Sequence, residues 1–408
     1  MLRLFNSLGK RLETFQPASE RVVNVFTCGP SVYQKSHIGN FRTFLFEDVL
    51  LRYLEYQGYL VRRGMNVTDV EDKAIEEAKR REVSLRELTE GNIKSFLQGM
   101  DLLKMKKPDV FPKASEAVDG AAEIIKELLD RKVAYWYKGN VYFDPLKFPG
   151  FGELYGLDMS RWPKQRRRFH KDTYPGMRWN LGDFILWHAC DENQQPCWNT
   201  RIGKGRPSWN IQDPSIIFKY YDEPFSIYGG GIDNLVRHHE YTRAILESIR
   251  PYPMAKFWLH CHHLIVDGKK MSKSLGNIYY VEDLLKDGYD PSEIRFFLIY
   301  GHYRKRLNYS KESFASSVKK LKDFRKRIRG VESLADPSAQ IEEELAKEVR
   351  ERFASSMDND LDVRGAFDRI SKIVAGARVE DLRPGAASGL LKALKEIDAV
   401  FRVFFQVP

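Results

Sequence analysis

Two short stretches of the chain carry side chains suited to handling phosphate. His37-Ile-Gly-Asn40 sets an imidazole and a carboxamide around a glycine. Both side chains can donate hydrogen bonds to phosphate oxygens as charge builds on them. Gly39 permits close backbone approach. Four residues of this kind carry little alone. The second stretch, Asp267-Gly-Lys-Lys-Met-Ser-Lys-Ser-Leu-Gly-Asn277, says more. Lys270 and Lys273 stand three apart, with Ser272 between them, on a short loop bounded by glycines. Two mobile ammonium groups placed there can clamp a pyrophosphate leaving group. Finding both stretches in this order and separation argues against a merely basic surface loop.

The flanking sequence shows what must position them. Val22–Thr27 reads as a short buried strand, broken by Cys28-Gly-Pro30. A helical pattern runs from about Phe41 to Tyr56, Gly58 ends it, and Tyr59–Arg63 reads as the next strand. Strand, helix, strand in so short a span is a βαβ unit, so a parallel sheet is expected. His37–Asn40 then lies where the first strand turns into the first helix, the place where such sheets bind ligands. The helix N-terminus adds free N–H groups and partial positive charge for phosphate.

Residues 115–133 and 140–190 read as an insertion, helical at Ala121–Leu129 and then aromatic and basic around Arg166-Arg-Arg168. Phe225–Tyr228 reads as a strand, followed by Gly229-Gly-Gly231 and a helix from about His238 to Ile249. Leu264–Val266 is another short strand. From about Ser310 helical patterns take over, at Lys319–Arg329, Ile341–Ala354, Val363–Val374 and Gly385–Phe405. The expected layout is an α/β Rossmann-like catalytic core in two halves, 1–114 and 206–309. An insertion at 115–205 splits it, and a helical bundle at 310–408 follows.

Composition narrows the class. The chain has 408 residues, 43% hydrophobic and 30% charged, ordinary for a globular protein of more than one domain. No apolar run is long enough to span a bilayer. Met1–Gln16 does not read as a signal peptide, so a cytoplasmic protein with no membrane partner is expected. The net charge of +10 suits a polyanionic partner. Cys28, Cys190, Cys197 and Cys261 are too few for a disulfide framework. Cys190 and Cys197 are spaced too widely for a zinc knuckle, and all four are read as ordinary thiols.

At this point the residues resemble a family. The pair of motifs looks like the signature of class I aminoacyl-tRNA synthetases. The flanking text resembles the cysteinyl branch: Thr27-Cys-Gly-Pro-Ser-Val-Tyr33, Arg42-Thr43, Asn66-Val-Thr-Asp-Val-Glu-Asp-Lys73, Gly205-Arg-Pro-Ser-Trp209, Gly229-Gly-Gly-Ile-Asp233 and His238-His-Glu240. So do Gly301-His-Tyr-Arg304, Leu307-Asn-Tyr-Ser310 and Met357-Asp-Asn-Asp-Leu361. The resemblance implies a two-step ligase. An amino acid and ATP, with Mg²⁺, give an aminoacyl-adenylate and pyrophosphate, and the aminoacyl group then passes to tRNA. It implies that His37, Gly39, Asn40, Ser272 and Lys273 bind ATP, and that His37, Asn40, Lys270 and Lys273 act in catalysis. Cys28, Thr68, Trp209, Tyr228 and Asp233 would meet the amino acid, with Asp233 on its ammonium group. A monomer is expected.

The chain also departs from the family. Cysteinyl-tRNA synthetases bind the substrate thiolate on a zinc ion held by two cysteines, a histidine and a glutamate. Here Cys28 and His238 occupy the first cysteine and histidine positions. Asp213 stands for the second cysteine and Thr242 for the glutamate. Asp213 can bind zinc through an oxygen, whereas Thr242 is a poor neutral ligand. Tyr228 stands for a histidine, and Asn210 and Gln212 replace a histidine and a glutamate. The chain stops near the last helix of the bundle, where the family continues into an anticodon-binding domain. Three readings stay open: a cysteine–tRNA ligase; a tRNA-independent ligase like the cysteine ligase of mycothiol biosynthesis, or a paralogue with changed amino-acid specificity; and a non-catalytic binding paralogue, against which the intact His37, Asn40 and Lys273 argue. The basic stretch Lys319–Arg329 would suit an RNA backbone.

Overall fold

A computed structural model describes residues 1–171, 181–191, 195–378 and 381–405. Residues 172–180 of the expected insertion, and the last three of the chain, lie outside the described residues. Among the described residues, four strands form a parallel sheet: β1 (Val22–Thr27), β2 (Leu60–Met65), β3 (Phe225–Gly231) and β4 (Ala255–Cys261). Their spatial order is β4-β3-β1-β2. Val25 pairs with Ile227 and Thr27 with Gly229 across the β1–β3 seam, and Thr27 pairs with Met65 across β1–β2. The chain crosses from one half of the sheet to the other between β1 and β3, which opens a crevice at their carboxyl ends.

Both faces of the sheet are covered, so its strands are apolar almost throughout. Alternation along each strand sorts the side chains. Val23, Val25, Ile227, Phe257 and Leu259 pack toward the helix α1 (Ile38–Tyr56) and the C-terminal helices. Phe26, Tyr228 and Trp258 pack on the opposite side, against Ile211, Ile216 and Ile217 of α2 (Trp209–Tyr220) and against Tyr241, Ala244 and Ile245. Cys28, two residues past Phe26, continues the second face.

Between β2 and β3 the chain forms a mostly antiparallel sheet in which Asp183–Ala189 and Trp198–Thr200 both flank Gly203–Pro207. Gly205 pairs with Ala189 on one side and Trp198 on the other. The next residues, Cys190 and Cys197, are thereby drawn to a Cα separation of 6.2 Å and form a disulfide. The expectation of ordinary thiols is corrected for this pair; Cys28 and Cys261 are free and buried.

A hairpin of Arg3–Asn6 and Arg11–Thr14, absent from the sequence reading, caps the edge of β4. Asn6 accepts from the backbone N–H of Trp258 at 3.0 Å and donates to the carbonyl of Lys256 at 2.9 Å. After Ser310 come helices Lys311–Leu334, Glu344–Met357, Val363–Gly376 and Pro384–Phe401. Phe324, Phe353, Phe367, Phe401 and Phe404 knit them together. Arg295 ties this bundle to the core: it bonds Asp48 of α1 at 2.5 Å and the carbonyls of Leu103 and Phe401. Of the basic stretch Lys319–Arg329, Arg325 is buried and holds the carbonyl of Val403 at 2.9 Å, while the remaining cationic side chains are exposed.

Candidate active site

His37 is the residue that caps α1. Its ring accepts from the backbone N–H of Asn40 through Nδ1 at 3.3 Å, and the Asn40 side chain accepts from the His37 N–H at 3.0 Å. This reciprocal capping box fixes where the helix starts. It also fixes the tautomer, because an accepting Nδ1 leaves the proton on Nε2. Burial holds the His37 ring down at about 4, so near neutral pH it is an uncharged donor. α1 begins at Ile38, three residues before the expected start, because the motif itself supplies the cap.

The lysine loop lies over this helix start. A β-carbon on Gly39 would press on the His37 ring at 3.0 Å and touch Met271 Cε at 3.6 Å, so the glycine spares the His37 ring and the loop's Met271 packs directly over the helix start. The N–H of Ile38 donates to the carbonyl of Tyr279 at 3.0 Å. Within the loop, Asn277 accepts from the N–H of Ser272 and donates to the carbonyl of Lys270. Gly276 takes the left-handed conformation that closes the turn. Lys270 and Lys273 are exposed, and among the described residues neither is in a salt bridge. Arg42 of α1 bonds the carbonyls of His262, Leu298, His302 and Lys305, which anchors the helix to the segments flanking the loop.

Across the crevice lies a closed polar cluster. Asp213, in the second turn of α2, is fully buried. Its Oδ2 accepts from the Cys28 thiol at 2.9 Å and the Tyr228 hydroxyl at 2.7 Å, and lies 3.0 Å from His238 Nε2. Its Oδ1 accepts from the Asn66 amide at 2.7 Å. Burial alone would raise this carboxyl, but His238 with the Cys28 and Tyr228 donors holds it below the usual carboxylate range. Burial, then the neighbouring Asp213, pushes Cys28 and Tyr228 well above their ordinary values. Both are therefore protonated beside an ionised Asp213.

The cluster extends further than the sequence reading saw. His239 Nε2 lies 3.1 Å from Cys28 Sγ, His239 Nδ1 lies 2.8 Å from His260 Nε2, and His260 Nδ1 lies 2.8 Å from Ser7 Oγ. Burial keeps both imidazoles neutral: His239 is well below its usual range and His260 is at about 3. Gly230 makes room for His239, since a β-carbon there would stand 2.9 Å from its ring. The helix that carries His238 and His239 begins at Ile232, not at His238, and opens into a wide turn at Leu235–His239. Such turns step through a smaller angle per residue than an α-helix, so two consecutive histidines reach the same cluster. The His238-His239 doublet, and His260 at the end of a strand, were the available signals for this extension.

The other expected residues fall around these two centres. Trp209 lies flat on His238, with ring centroids 4.3 Å apart. Thr68 is buried beside Asn66. Asp233 stands at the mouth of the crevice, half exposed and 4.0 Å from His263. Asn210 and Gln212 donate to the carbonyls of Ile185 and Val70. Thr242 donates to the carbonyl of His238 at 2.9 Å. Cys28, Asp213 and His238 bring one ligand atom each within 4.8 Å of one another.

The family model described as "tRNA synthetases class I (C) catalytic domain" matches residues 14–319. The chain is 36% identical to the cysteine–tRNA ligase of Chlamydia muridarum over 98% of its own length and 88% of that protein. It is 38% identical to the cysteine–tRNA ligase of Koribacter versatilis, over 98% and 82% of the two. Among solved structures, Mycobacterium tuberculosis methionyl-tRNA synthetase in complex with methionyl-adenylate superposes with a TM-score of 0.67 at 14% identity, over 94% of this chain and 92% of that one. At that identity the likeness speaks for the Rossmann-like fold with its helical bundle. The matching family model, together with relatives at this identity and coverage, places the chain in the cysteine–tRNA ligase family of ATP-dependent class I tRNA synthetases.

Proposed function

We propose that this protein is a cysteine–tRNA ligase whose adenylation centre lies at the carboxyl ends of β1 and β3. The observation that carries this reading is the meeting of the two motifs, with Met271 of the lysine loop seated on Gly39 at the start of α1. An ATP molecule in the crevice would find its phosphates between the Nε2–H of His37, the amide of Asn40 and the ammonium groups of Lys270 and Lys273. Mg²⁺ would ride on the phosphates and neutralise part of their charge. Ser272 would add a hydroxyl to the phosphate site. The amino acid would lie across β3, with its ammonium on Asp233 and its carboxylate turned toward the α-phosphate. Its side chain would point toward Cys28, Thr68, Trp209 and Tyr228.

Attack of the carboxylate oxygen on the α-phosphorus forms the adenylate and releases pyrophosphate. Negative charge then grows on the bridging and terminal phosphate oxygens, and a neutral His37 donor with two mobile cations meets it there. The terminal ribose hydroxyl of tRNA subsequently takes the aminoacyl group and AMP departs. The exposed cations of helix Lys311–Leu334 would face the RNA backbone, and the protein would work as a cytoplasmic enzyme.

ATP–pyrophosphate exchange with each standard amino acid, followed by charging of cysteine tRNA, tests the reading. Exchange that depends on cysteine, and charging that falls steeply with salt, are expected. Exchange with another amino acid in preference to cysteine, or none at all, overturns it.

A further inference from the structure

The family to which this chain belongs brings the expectation of a zinc ion in the side-chain pocket, and the residues here do not fit one. Thr242, at the glutamate position, is a neutral hydroxyl that donates to the carbonyl of His238 at 2.9 Å and brings no anionic ligand. The other groups already close on Asp213 at hydrogen-bond distance. Zinc bonds of about 2.0–2.3 Å to nitrogen, oxygen and sulfur set tetrahedral donors roughly 3.3–3.6 Å apart. Cys28 Sγ and His238 Nε2 instead touch the same Asp213 oxygen at 2.9 and 3.0 Å, which are hydrogen-bond lengths. Tyr228 and Asn66 bring the donors on this carboxylate to four, about the number of lone-pair sites it offers.

The direction of the hydrogen bonds points the same way. The Cys28 thiol donates to Asp213 Oδ2 at 2.9 Å. The Cys28 sulfur then accepts from His239 Nε2–H, His239 Nδ1 accepts from His260 Nε2–H, and His260 Nδ1 accepts from the Ser7 hydroxyl. Every link of this chain pairs one donor with one acceptor. Zinc requires a thiolate at Cys28, which would leave Asp213 without that donor.

We propose that the side-chain pocket of this protein is metal-free, with the Asp213 carboxylate as the buried anion that organises it in place of a zinc ion. The proposal rests on the reading of this pocket as the amino-acid site. With no zinc–thiolate bond to favour sulfur, cysteine is told from serine by size and hydrogen bonding, at roughly 10²-fold.

The test is the zinc content of the full-length protein, purified without chelator from a zinc-supplemented culture. Well under one zinc per chain is expected, with cysteine-dependent exchange unchanged by a zinc-selective chelator. One zinc per chain that is lost in Cys28→Ser overturns the proposal. The double variant Asp213→Cys with Thr242→Glu is expected to gain one zinc and to melt higher with zinc than without. If that variant folds and still binds none, these two positions are not what keeps the metal out, and the argument falls. Absence of exchange with cysteine sinks the ligase reading alone, since the zinc measurement decides the proposal by itself.

Discussion

The two ends of the crevice are built on opposite plans. At the phosphate end, the parts are a helix cap, a glycine and a loop with two exposed lysines. The groups that would touch ATP come from two short runs, His37–Asn40 and Lys270–Lys273, and among the described residues neither lysine is in a salt bridge. At the side-chain end, Asp213 and its partners are buried, joined in one hydrogen-bonded chain from Ser7 to Asn66, and drawn from seven separate segments. On the proposed reading, the first end closes on a polyanion and lets it go. The second is locked before any ligand arrives, with the precision that discrimination between small side chains demands.

Breaking the locked end should have the largest effect. Asp213→Ala strands the Cys28, Tyr228, His238 and Asn66 donors in the interior, and a loss of about 3–5 kcal/mol of stability is expected, read from urea unfolding. A loss under 1 kcal/mol would mean that Asp213 is not the hub. Lys273→Ala should do the reverse: the melting temperature stays put while ATP–pyrophosphate exchange falls by roughly 10²–10³-fold. If stability moves with it, the loop is structural and the contrast between the two ends fails. Tyr228→Phe removes a single donor to a charged acceptor and should cost about 1.5–3 kcal/mol in the same unfolding experiment.

The pH dependence of stability compares the ends most gently. His37 at one end and His260 at the other are held at about 4 and about 3 by burial, against 6.5 when exposed. The unfolded chain therefore binds more protons below pH 6.5. The stability these neutral rings contribute is complete above that pH and is lost as pH falls toward their folded values. A urea midpoint that slides downward from pH 6.5 to pH 4 is expected, with a shallower slide in His37→Ala. An unchanged slope in that variant would show that the His37 ring is not held neutral by burial.

The difference between the ends also decides what could be read from sequence. His37, Gly39, Asn40 and the lysine loop could be singled out because each is a short run whose residue types and spacing suit phosphate, and the structure brings the two runs together. The parallel sheet and the four C-terminal helices were legible from apolar periodicity. The Asp213 hub was visible only as a set of odd substitutions. Ser7, His239 and His260 join it through contacts spanning 21 to 253 positions, a range that no local pattern encodes. The Cys190–Cys197 bond escaped for a related reason: spacing argued against a metal pair, and only the shared strand partner Gly205 brings the two together. The early start of the helix at Ile232 depends on a wide turn that helical periodicity at 3.6 residues does not describe.

The order of strands has a consequence for synthesis. β1 takes β3 as its neighbour, and 198 positions of chain separate Thr27 from Phe225. The hairpins between them pair residues close in sequence and close their loops at small entropic cost. On a ribosome they can form while β1 still waits for its partner. Cys28 cannot meet Asp213 and Tyr228, nor His37 the lysine loop, until well over half of the chain has been made. The nascent protein can therefore close its local hairpins long before it acquires a site, but the core on which they pack is complete only once Phe225, Tyr241 and Trp258 have been made.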